Sequence, residues 1–181
     1  MGSKHTREQL LAAALDAATD EGLSGLTFGR LAKRVGTSDR MLVYYFPTKH
    51  DLVRDVLHEM GAQLQAALAP AIPPAARDHL ELARAAWPVL ARPQVDPTFA
   101  LFFEALGLAA AGTEPYRRVA VELLDGWASW LEGSLDGEPD ARRAEAECAI
   151  AVLDGLLLLR QLSGPDAAER AAARILGDRS G

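Results

Sequence analysis

Between Thr27 and Pro47 the chain sets down two short helical stretches with stop signals on both sides, and this twenty-residue segment constrains the fold more than any other. Thr27 is placed to cap a helix that runs through Val35, and Gly36 can take the positive φ that stops it. Ser38 restarts the chain as a helix with Asp39 in its positive first turn, and Pro47 ends it for want of an amide. Helices of about eight residues are marginal alone. The pair must therefore cross and share a small core, with Leu31, Val35 and Leu42 meeting and the small Ala32 at the closest approach. That is the sequence form of a helix-turn-helix.

The flanks continue the helical pattern. Thr6 and Gln9 have the spacing of a capping box, and Leu11, Ala14, Leu15 and Ala18 form the apolar stripe of a helix that Gly22 should stop. Thr48 and Asp51 cap a helix to about Leu68, and Pro70, Pro73 and Pro74 mark a boundary. Helices are then predicted over 76–91, interrupted at Pro88, and over 98–108, 115–135, 140–162 and 166–176. Composition agrees: 34 alanines and 28 leucines face only 9 valines, 3 isoleucines and 7 threonines, so the expected class is all-α. Residues 1–54 carry eight basic against six acidic side chains, whereas 55–181 carry eleven against nineteen, so an acidic chain has a locally basic end suited to a polyanion.

The residues Leu10-Leu11-Ala12-Ala13-Ala14, Gly22, Leu26-Thr27, Leu31-Ala32, Val35-Gly36-Thr37-Ser38 and Leu42-Val43-Tyr44-Tyr45-Phe46-Pro47-Thr48-Lys49, followed by Leu52, resemble the N-terminal domain of TetR-family transcriptional regulators. The likeness covers residues 6 to about 57. Asp39, Arg40, Val43 and Ala18 depart from the residue types common at their sites in that family. The resemblance implies a DNA-binding domain over 1–47, a connecting helix over 48–69 and a ligand-binding and dimerisation domain over 70–181. It further implies a twofold dimer on a near-palindromic DNA site, with Ser38–Tyr45 as the helix in the major groove, and a small-molecule effector.

Chemistry assigns provisional roles within that segment. Arg40 can pair two-pronged with guanine, Asp39 can accept from a cytosine amino group or simply answer the helix dipole, and Met41 can touch a thymine methyl or pack. Thr27, Ser38, Tyr44, Tyr45 and Lys49 are the expected phosphate contacts, against Tyr45 as core and Lys49 as an ordinary surface lysine; Thr37 is a further DNA-binding residue and Phe46 is core. Lys4, His5 and Thr6 are weighed as an arm near the minor groove. In the remainder, Trp87, Phe99, Phe102, Phe103, Trp127 and Trp130 suit an apolar ligand pocket or an ordinary core, and they favour a hydrophobic effector. Helices 140–162 and 166–176 are the expected homodimer surface, since Leu156-Leu157-Leu158-Leu159 is apolar nearly all round.

Other classes find less support. The sequence has no P-loop lysine, nucleophile elbow, H-E-x-x-H or paired Cys/His set, so catalysis, cofactor and metal are not expected. His50 and His58 lie eight residues apart, about 12 Å along a helix, too far to share an ion. Cys148 is the single cysteine, and the apolar run 148–159 is too short for a membrane span. The expectation is a cytoplasmic protein. The alternative to an effector-released repressor is a DNA-binding dimer with no effector.

Overall fold

In the computed structural model, which describes residues 5–177, the chain is all-α. Its helices are α1 (Arg7–Gly25), α2 (Phe28–Val35), α3 (Asp39–Tyr45), α4 (Lys49–Leu68), α5 (His79–Leu90), α6 (Asp96–Ala110), α7 (Tyr116–Glu132), α8 (Pro139–Ser163) and α9 (Pro165–Leu176). Lys4, proposed above as part of an arm, lies outside the described residues, as do 178–181.

Contacts group the chain into two units that do not follow chain order. One comprises residues 1–64 with 100–122, and the other 65–99 with 123–181. Helices α4, α6 and α7 each contribute residues to both.

In the first unit, local signals set the helix ends. Thr6 accepts from the Gln9 amide while Gln9 reaches back to the Thr6 amide at 3.0 Å, which closes the capping box. Gly22 breaks α1 at φ 76°, ψ 168°, a region open essentially to glycine alone rather than the left-handed helical cap expected of it, and a last turn follows to Gly25. Thr27 and Ser38 cap α2 and α3, and Gly36 turns the chain between them at φ 70°, ψ 37°. Helix α2 packs on both α1 and α3. Leu10, Leu31, Leu42, Phe46, Leu52 and Val56 are fully buried.

In the second unit α5 packs on α8 and α9, which also pack on each other. Ala76, Leu82, Ala128, Leu131, Leu135, Ala146 and Ala149 form a common cluster. Two sequence expectations change here. Helix α5 begins at His79 behind an Asp78 cap, not at Ala76, and α7 ends at Glu132, not Leu135. The cause is shared: Ala76 donates to Ser134 O at 2.7 Å and accepts from the Asp136 amide at 2.9 Å, so both segments are held extended beside each other. Pro88 stays inside α5 without ending it, its ring on the exposed side.

Candidate nucleic-acid interface

Leu42 is wholly buried and fixes the inward direction of α3. At 100° per residue, Arg40 and Tyr44 then point nearly opposite to it, with Val43 beside them. The solvent exposure agrees: Tyr44 is 77% exposed and Val43 44%, and these are the two exposed large hydrophobics of residues 5–64. Asp39 and Arg40 are exposed as well, while Met41 and Thr37 are half-buried. Tyr45 turns the other way, half-buried, its hydroxyl donating to His5 O at 3.5 Å. The rings of Tyr44 and Tyr45 meet edge-on at 5.0 Å.

The cations around this face sort into two kinds. Arg7 pairs with Asp55 and lies 5.4 Å over the Phe46 ring. Arg34 binds Asp20 at 2.6 Å, Arg30 lies 3.6 Å from Glu21, and Arg54 sits between Asp51 and Asp55. Hydrogen bonds donated to those acids raise the pKa of Arg34 and Arg54, with Asp20 and Asp55 as the respective main causes. Among the described residues Lys33, Arg40 and Lys49 have no such partner. Their charge is uncommitted.

The hydroxyls are partly engaged. Thr27 Oγ1 accepts from the Arg30 amide at 3.3 Å and Ser38 Oγ from Met41 at 3.4 Å, which leaves each hydroxyl proton free to donate outward. Thr48 and Asp51 form a reciprocal box at the start of α4, and the Thr48 hydroxyl lowers the Asp51 pKa. Asp39 Oδ2 lies 3.9 Å from where a Cβ on Gly29 would project, so this carboxylate borders α2.

The six aromatic residues marked for a ligand do not share one setting. Trp87 and Phe99 are buried, and the Trp87 ring nitrogen donates to Glu169 at 3.4 Å. Trp127 and Trp130 are half-buried and meet edge-on, with ring centres 5.5 Å apart. Phe102 and Phe103, a tilted pair at 5.4 Å, fall in the first unit, whereas the other four fall in the second. Helix α8 carries a half-buried Asp154 whose carboxyl burial pushes up to about 6.

The same helix presents an exposed row at Ala144, Cys148, Ala151, Gly155, Leu158 and Leu162, alternating by four and three residues. A Cβ added at Gly155 would meet nothing within 4 Å. His58 lies 3.5 Å from Glu122, and no group of three or more His, Cys, Asp or Glu among the described residues is arranged to hold a metal. Nor is any described helix long and apolar enough to cross a membrane.

Residues 10–56, which contain α2, α3 and the first turns of α4, match the family described as bacterial regulatory proteins, tetR family. That segment has the N-terminal domain of the TetR family. Among relatives, the HTH-type transcriptional regulator BetI of Cronobacter sakazakii (strain ATCC BAA-894) is 31% identical over 75 residues, 41% of this chain and 37% of BetI. The match thus spans little more than a third of that regulator's length. Solved structures extend the likeness to the whole fold. A transcriptional regulator from Rhodococcus sp. Rha1 superposes with a TM-score of 0.74 at 24% identity, covering 96% of this chain and 95% of that one. The multidrug binding protein EbrR, complexed with malachite green, gives 0.69 at 26% identity over 95% and 96% of the two chains.

Three features of the chain escaped the sequence reading. Glu104 on α6 accepts from the Leu23 amide at 2.9 Å and the Ser24 amide at 3.3 Å, capping the turn that restarts after Gly22. Arg160, only 6% exposed, grips Asp96 through two bonds of 2.6 and 2.9 Å, and Gln161 donates to Asp96 O. His79 meets Glu145 through both its ring and its backbone nitrogen, which holds the Glu145 pKa below the usual range. Arg160 had a local signal, a charge directly after four leucines. The partners of all three lie 64 or more residues away, and nothing in the sequence announces that distance.

Proposed function

We propose that this protein is a sequence-specific DNA-binding transcriptional regulator, acting as a repressor that a small hydrophobic effector releases from its operator. The observation that carries the reading is the outward face of α3: Arg40, Val43 and Tyr44 are exposed, and neither Arg40 nor Lys49 is neutralised within the described chain. A helix presenting an uncommitted guanidinium and apolar groups opposite a buried anchor has the makeup of a major-groove reader. Arg40 takes the base-reading role, with Asp39 and Met41 beside it. Thr27, Thr37, Ser38, Tyr44 and Lys49 hold phosphates, and Tyr45 contributes there with whatever its bond to His5 leaves free. Helices α1–α3 thereby form the reading domain, α4 joins it to the rest, and the remaining helices serve the effector and pairing.

The partner in pairing is a second copy. The exposed row on α8, small at Ala144, Ala151 and Gly155 and leucine-rich at its end, allows close approach of a twofold mate, with Ile175 of α9 also exposed. Two copies would present two reading helices to successive major grooves about 34–36 Å apart. For the effector, the half-buried Trp127 and Trp130 favour an aromatic compound. The EbrR structures with proflavin and malachite green, both multi-ring aromatics, lend this weight.

The test begins with selection of bound duplexes from a random pool, followed by affinity across a salt series. A near-palindrome with a steep salt dependence is expected. Aromatic compounds are then screened for release of that duplex. Failure to select any sequence overturns the DNA-binding reading, and a selected duplex that no compound releases leaves a constitutive regulator.

A further inference from the structure

Val43 is the exposed apolar side chain on the reading face to which no contact has yet been given. It rests on the outward face of α3, 60° from Arg40 and one turn toward the C-terminus, about 4.5 Å along the axis. Its exposure belongs to a local concentration of apolar surface, since Val43 and Tyr44 are adjacent and no other large hydrophobic of residues 5–64 is exposed. Buried Leu42 and Phe46 anchor the helix on its other side, so folding does not require an apolar group at position 43.

Resting on the DNA-binding function proposed above, we propose that Val43 reads the 5-methyl group of a thymine in each half-site. The physical reason is exclusion. Apart from ring C–H groups, the major-groove edge of the bases offers polar donors and acceptors, and the thymine methyl is the one apolar substituent that projects from it. A valine offers no hydrogen bond, so thymine is the base it can favour by contact. Being β-branched, it holds its methyls in few rotamers and loses little freedom on contact.

The test uses the full chain and the half-site recovered from the random pool. Each thymine is replaced in turn by uracil, which removes the methyl group and keeps every polar group. Binding of the unaltered protein should fall about fourfold at one thymine per half-site, the worth of one buried methyl. With Val43→Ala, which shortens the reach, that penalty should shrink, and with Val43→Ser, which puts a hydroxyl in place of the two methyls, it should fall toward none. Circular dichroism and thermal unfolding of each variant confirm an unchanged fold. Indifference to uracil throughout a recovered half-site overturns the inference while leaving the DNA-binding function standing. A penalty that Met41→Ala abolishes and Val43→Ala preserves overturns it as well, by assigning the methyl to Met41. Recovery of no half-site removes both.

Discussion

At the scale of single residues, the reading face and the interior respond to different measurements. Arg40→Ala should lower affinity for the selected duplex by roughly 1–3 kcal/mol and relax preference at one guanine. Lys49→Ala should instead weaken all sequences alike and reduce the salt slope by about one, which a titration series at several salt concentrations would measure. Asp154 gives a prediction about stability. Its carboxyl titrates at about 6 in the folded protein, against roughly 3.9 in an unfolded chain. The native state thus holds the proton more tightly, and stability is lost as pH rises through the interval between the two values. That loss is on the order of 3 kcal/mol at neutral pH. Asp154→Asn should therefore be the more stable form by chemical denaturation at neutral pH, its margin shrinking to nothing as the solution is made more acidic than about pH 4. An acid inside an apolar run is visible in the sequence, but its degree of burial depends on how the neighbouring helices pack.

Individual elements show why some boundaries were legible and others were not. Caps, glycine stops and proline stops act within four residues, so α1 through α4 begin and end close to where the sequence places them. The start of α5 and the end of α7 depend on Ala76 pairing with the chain at Ser134–Asp136, a long-range event that no short motif encodes. Gly22 combines both kinds of information. Its position as a breaker is readable, yet its conformation and its neighbour are not: a Cβ there would stand 2.9 Å from Glu104 Oε2. Gly22→Ala should cost about 1–3 kcal/mol in urea unfolding, from backbone strain and from displacing the carboxylate that caps Leu23 and Ser24. An unchanged midpoint would show that the turn relaxes freely.

For the molecule as a whole, the likeness of residues 10–56 to the TetR family and the all-α class were legible because one dense motif and a helix-rich composition stand in the sequence itself. The proposed ligand residues were less so, since aromatic side chains in a sequence do not reveal which ones help form a core: Trp87 and Phe99 are buried, and Trp127 and Trp130 are not fully so. Pairing of two copies is tested by Ala151→Glu and Gly155→Arg, which place charge on the exposed row of α8. Light scattering at micromolar concentration should then report monomers, and operator affinity should fall by about a hundredfold or more as the second reading helix ceases to be tethered. A dimer surviving both changes would move the interface elsewhere. Helix α3 is held by Leu42 and the following Phe46, both at 0% exposure, while Arg40, Val43 and Tyr44 stand clear of the interior. Folding and outward contact thus depend on separate sets of side chains. Descendants of this chain can exchange those three residues and acquire new preferences without first accumulating stability to spend, so this short helix is free to diverge while the scaffold stays fixed.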